Sequence, residues 1–173
     1  MKLGNHLREG NVGMRGNYVA FENSLLNQII NGDKDIFDID TTQYPCLDIG
    51  ESWQAIHYLL CKDNDDGKSH NSYVVPTREE NELNCGFDFG VFYITAKQVK
   101  KASDYLNTLD DNTLMNLYDF NLMIEKRIYP LFGNENANEA DVFYEYIYSH
   151  LANLQKYFER MAEKGYAIIF YVM

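Results

Sequence analysis

Leu47-Asp48-Ile49-Gly50-Glu51-Ser52-Trp53-Gln54-Ala55-Ile56-His57-Tyr58-Leu59-Leu60 contains the chain's single tryptophan and its clearest periodicity. Ile49, Trp53, Ile56 and Leu60 follow one another at steps of four, three and four, which brings side chains onto one face of an α-helix. His57 shares that face, so the stretch predicts a helix that turns Trp53 and His57 inward. Asp48 stands just ahead of it, where a carboxylate can accept free amide hydrogens and meet the positive end of the helix dipole.

Upstream, Pro45 holds Tyr44 extended. The run over residues 33–45 is acidic, with Asp33, Asp35, Asp38 and Asp40. Leu25, Leu26, Ile29 and Ile30 lie at helical spacing within residues 22–31, and Tyr18, Ala20 and Phe21 suit a short strand before them. Downstream, Cys61-Lys62 closes the helix and residues 63–72 read as a loop by composition. Tyr73-Val74-Val75 predicts a short strand ended by Pro76, and residues 77–84 are charged. Residues 85–94 form a stronger strand candidate, in which Gly86 and Gly90 fit a bulge or a close approach.

Thr95 is placed to cap a helix carrying Val99, Ala102, Leu106 and Leu109, with Lys97, Lys100 and Lys101 on its polar side. After Asp110-Asp111-Asn112, helical segments hold Leu114, Leu117 and Tyr118, then Leu122, Ile124 and Ile128, and end at Pro130 and Gly133. Phe143, Ile147, Leu151, Leu154, Phe158 and Met161 form a stripe that predicts the longest helix. The tyrosines around it could line a ligand groove, but a stripe at helical spacing is more often core. Gly165 suits its C-cap. Ala167-Ile168-Ile169-Phe170-Tyr171-Val172 is an apolar run best hidden on both faces of a sheet. Helices follow strands without a regular βαβ period, so the expected fold is α+β: one compact domain over residues 12–173, with about four helices on a small mixed or antiparallel sheet and the C-terminal strand central. The polar residues 1–11 are expected to be a mobile extension.

Composition narrows the functional classes. At 46% hydrophobic and 14% aromatic residues, 173 residues carry enough apolar material to bury a core. The formal net charge of −11, from 26 acidic and 15 basic residues, repels phosphate backbones and anionic lipid, so neither nucleic acid nor membrane is expected as a partner. Three cysteines without a C-x-x-C pair argue for free thiols in a reducing compartment, and residues 1–11 lack the apolar run of a signal peptide. A cytoplasmic location is expected.

No motif declares a reaction. The four aspartates of residues 33–40 lack the glycine and terminal glutamate of a calcium loop. Gly67-Lys68-Ser69 has no glycine five residues before Gly67 and no strand-to-helix setting, so it is not read as a phosphate loop. His6, His57, His70 and His150 are scattered, without the paired spacing of a zinc or iron site, and neither metal nor cofactor is expected. His57 is the best candidate for acid–base work, with Asp48 and Tyr58 as neighbours in sequence. The competing reading makes His57 a core histidine bonded to a backbone carbonyl and Asp48 a capping residue. Asp48, Trp53, His57 and Tyr58 together are the candidate pocket.

The leucine–aspartate lead-in, the tryptophan and histidine one helical turn apart, and the paired leucines of residues 47–60 resemble the YfbM-like family of small bacterial proteins, built on a domain of unknown function. The likeness continues at Gly13-Met14-Arg15-Gly16, at Ile128-Tyr129-Pro130 and over residues 163–172. It implies a compact α+β domain and carries no reaction with it. Glu51 stands where a basic residue is expected, and Val74-Val75-Pro76 replaces an expected glycine-rich turn. The leading expectation is a non-catalytic binding or interaction module meeting a basic protein, such as a toxin neutralised by an immunity protein. The alternative is a small enzyme or metabolite-binding protein with a pocket near Trp53 and His57.

Overall fold

The computed structural model describes residues 13–62, 70–85 and 89–173. The expected mobile extension, the Gly67-Lys68-Ser69 triplet and Gly86 lie outside the described residues. The fold is α+β, built on an antiparallel sheet of five strands in the order β2-β1-β5-β4-β3. The central strand, β5 (Tyr166–Val172), pairs with β1 (Gly16–Glu22) along its whole length, from Gly16 opposite Val172 to Glu22 opposite Tyr166. On its other side runs β4 (Val91–Ile94). The short strands β2 (Cys46–Asp48) and β3 (Glu82–Leu83) form the edges.

The near-continuous apolar run of β5 is explained by this position. Successive side chains alternate between faces. Ile168, Phe170 and Val172 join Tyr18, Ala20, Phe92 and Ile94 in the larger core, whereas Ala167, Ile169 and Tyr171 join Val19, Phe21 and Val91 in a second core on the opposite face. That second face is closed by Leu26 and Ile29 of α1 (Asn23–Ile30) and by Ile36 and Ile39 of the acidic run. The aspartates of this run cap short 3-10 turns: Asp35 accepts the Phe37 amide hydrogen and Asp40 that of Thr42.

The larger core lies under α2 (Trp53–Cys61), α3 (Ala96–Leu106), α4 (Asp111–Leu117), α5 (Phe120–Glu125) and α6 (Ala140–Glu163). Among the described residues, six α-helices are therefore present where about four were expected. The difference arises after α3, where Asp110 caps α4 by accepting the Thr113 amide hydrogen and Asp119 caps α5 by accepting that of Leu122. Each aspartate starts a new short helix. Thr95 and Gln98 form a reciprocal capping box at the start of α3, and α6 is the longest helix, at 24 residues.

Two local expectations are corrected. Tyr73-Val74-Val75 is not a strand: His70–Tyr73 forms a 3-10 turn, and Val74 and Val75 follow it, fully buried. Their carbonyls accept side-chain donors instead of a strand partner, Val74 from the Tyr18 hydroxyl at 2.9 Å and Val75 from His57 at 3.0 Å. The helix α2 buries more than one stripe, since every residue from Ala55 to Leu60 is buried while Trp53 at its start is only half-buried. The Val74–Val75 segment and the later helices enclose it.

Candidate functional site

Three segments far apart in sequence meet at the start of α2. In the first, Asp48 ends β2 and accepts the Gly50 amide hydrogen at 2.7 Å, which turns the chain into the 3-10 turn Gly50–Ser52. Gly50 has φ of +56°, and a side chain there would press on the Tyr146 hydroxyl, 3.1 Å from the position of a Cβ. In the second, the chain before β1 passes close beneath α2. A Cβ on Gly16 would come within 2.7 Å of Trp53, so only glycine fits the approach. The third segment brings Tyr129, after α5, onto the same spot.

The polar groups interlock. Arg15 donates to Asp48 from Nη2 at 2.6 Å and from Nε at 3.2 Å. The Tyr129 hydroxyl accepts the Met14 amide hydrogen at 2.9 Å, and the Trp53 indole donates to the Met14 carbonyl at 3.0 Å. Gln54 accepts the Tyr129 amide hydrogen at 2.7 Å, and the Tyr146 hydroxyl accepts that of Glu51 at 3.1 Å. His150 meets Tyr146 edge to face, with ring centroids 4.9 Å apart. Backbone bonds between Arg15 and Met173 fasten both ends of the described chain into this region.

The electrostatics follow from these contacts. The hydrogen bond to Asp48, opposed by burial, holds the Arg15 guanidinium even more firmly protonated than usual. Burial raises the Tyr146 and Tyr129 hydroxyls above the ordinary tyrosine value, with the Glu51 carboxylate adding to both. Burial lowers the His150 imidazole, Asp48 pulling it up and Arg15 pushing it down. A raised phenol is a poor nucleophile and a poor base at neutral pH. As an exposed ion pair, Arg15 with Asp48 contributes at most about 1 kcal/mol.

The four residues of the expected pocket do not share one surface. Asp48 is exposed at the sheet edge, and Trp53 is half-buried beside Tyr129 with ring centroids 6.2 Å apart. His57 and Tyr58 are buried. His57 carries its proton on Nδ1, because the Val75 carbonyl can only accept. Asp48 therefore joins the cluster described above and His57 belongs to the core behind it. A cleft of about 640 Å³ lies elsewhere, lined by Ile29, Ile36, Phe37 and Leu83 with Lys34 and Asp35 among its polar residues. Among the described residues, no group of three or more histidines, cysteines, aspartates or glutamates is arranged to hold a metal ion, and no helix is long and apolar enough to cross a membrane.

A family model described as a domain of unknown function, DUF1877, matches residues 12–171. The chain belongs to the DUF1877 family. Among solved structures, this DUF1877 chain is similar to YfbM from Escherichia coli, itself a protein of unknown function. The likeness has a TM-score of 0.75 at 18% sequence identity, over 92% of this chain and 99% of that one. At that identity the likeness shows the shared fold. No curated protein matches the chain. Three of the four segments that carried the family resemblance in sequence, Gly13-Met14-Arg15-Gly16, residues 47–60 and Ile128-Tyr129-Pro130, converge at the start of α2 in this DUF1877 fold; the fourth, residues 163–172, runs from the end of α6 into β5. Arg15 and Tyr129 were thus legible as motif members without being legible as neighbours. Tyr146 and His150 carried no such signal, since both lie on α6 outside the apolar stripe from Phe143 to Met161.

Proposed function

We propose that the chain is a non-catalytic binding module of the bacterial cytoplasm that meets a basic protein, in the manner of an immunity protein neutralising a toxin. The observation that carries the reading is that Arg15, Asp48, Tyr129 and Tyr146 are engaged in hydrogen bonds within the cluster. Arg15 holds Asp48, and two tyrosine hydroxyls accept backbone amide hydrogens. Such an arrangement locks a surface in place; catalysis needs a group kept poised for substrate. The net charge of −11 supports a basic partner, because complementary charge speeds encounter and selects partners. Three cysteines without a C-x-x-C pair support a reducing compartment.

A second reading, a metabolite-binding protein, is favoured by the 640 Å³ cleft beside Ile36 and Leu83 rather than by the surroundings of Trp53 and His57. Affinity purification from host extract at low salt, with a metabolite thermal-shift screen alongside, separates the two. The expected result is retention of a protein of basic pI that is released as salt rises, with no metabolite shifting the melting temperature. A metabolite that stabilises the chain, with no basic protein retained, would replace the first reading by the second.

A further inference from the structure

We infer that the face formed by α4 and the first half of α6 is the docking surface for a basic, amphipathic segment of a partner protein. The inference rests on the reading of the chain as a module for a basic partner and adds the place and the chemistry. Met115 on α4 is 63% exposed, a large apolar side chain displayed to solvent one turn from Asp111. Half-buried tyrosines lie alongside: Tyr144 meets Tyr118 edge to face at 5.1 Å and stacks on Tyr148 at 5.9 Å. Hydrogen bonds hold this ladder in place, from the Tyr118 hydroxyl to the Ala140 carbonyl at 2.7 Å and from the Tyr148 hydroxyl to Asp111 at 2.8 Å. Beneath Tyr148 a small notch of about 40 Å³ opens between Leu106, Leu109, Leu114 and Leu151.

The rim decides the kind of occupant. Burial raises the Tyr144 and Tyr118 hydroxyls, with the charges of Asp111 and Glu145 adding at Tyr144 and that of Asp141 at Tyr118, and the hydrogen bond to Asp111 raises Tyr148, with Glu145 adding. Residues 110–149 contain eight carboxylates and two basic residues, Lys126 and Arg127. Lys126 is directed to the Tyr58 ring, and Lys62 donates to the Leu117 carbonyl beside Tyr118, at the opposite end of α4 from Asp111. Ring faces bordered by carboxylates suit lysine and arginine side chains, which gain cation–π attraction and ion pairing together. Met115 and the leucine notch supply apolar contact for residues between those cations. An acidic or purely polar segment would gain neither.

The probe is a helical lysine–leucine peptide of about 18 residues, compared with a glutamate–leucine peptide of the same pattern. Binding is read by fluorescence anisotropy for the wild type and three variants: Met115→Ser, Asp141→Asn/Glu145→Gln, and Glu159→Gln/Glu163→Gln at the far end of α6. The wild type should bind the lysine peptide and reject the glutamate one. Each of the first two variants should weaken binding by about tenfold or more, with the third near wild type. Equal weakening by the second and third variants, with none from the first, would overturn the docking surface while leaving a basic partner standing. No binding of the lysine peptide by the wild type would overturn both. Circular dichroism of each variant guards against a loss caused by unfolding.

Discussion

His57 and Asp48 stand within ten positions of each other in sequence and do different work. The His57 ring is 5% exposed and donates from Nδ1 to Val75, a carbonyl that has no strand partner of its own. Leaving a buried carbonyl without its donor costs roughly 1 to 3 kcal/mol. His57→Gln should therefore lower stability by that amount in urea denaturation, through a backbone segment 18 residues downstream, while partner binding is retained. A variant as stable as wild type that has lost binding would turn the histidine from a core residue into a site residue. Asp48, exposed and shared between Arg15 and the Gly50 amide, sets the direction in which the chain enters the turn before α2.

At the scale of elements, what was legible depended on whether the signal was periodic and local. The α2 helix could be read from the steps between Ile49, Trp53, Ile56 and Leu60, and β5 from six mostly apolar residues in a row. Deleting residues 167–173 should abolish soluble expression, because both cores lose their shared wall and β1 loses its full-length partner. A truncated chain that stays folded, with native near-ultraviolet circular dichroism, would refute the central place of the strand. Val74-Val75 reads as a strand by composition because β-branched residues suit both a strand and a buried irregular segment. What separates these is the origin of the hydrogen-bond donors, here Tyr18 and His57, which lie 56 and 18 residues away. The division of residues 110–125 into two helices hinged likewise on Asp119 turning its carboxylate onto its own chain. The candidate site was partly legible for a related reason. Arg15, Asp48 and Tyr129 sit in recognisable motifs, yet the bond from Met14 to Tyr129 spans 115 residues, and nothing local reports it.

For the whole molecule, the antiparallel sheet separates two cores and leaves α4 and α6 displaying tyrosines, Met115 and carboxylates on one outer face. The charge of −11 acts over the entire surface, but its reach in solution is set by salt, about 10 Å at 0.1 M and 3 Å at 1 M. An association led by that charge must weaken as ions screen it, whereas insertion of a ligand into an apolar pocket holds or tightens. The most direct test is the affinity of the wild-type chain for the lysine–leucine peptide as ionic strength rises from about 0.05 M to about 0.5 M. A module for a basic partner should lose affinity by an order of magnitude or more across that range. An affinity that stays level or tightens as salt rises would contradict it.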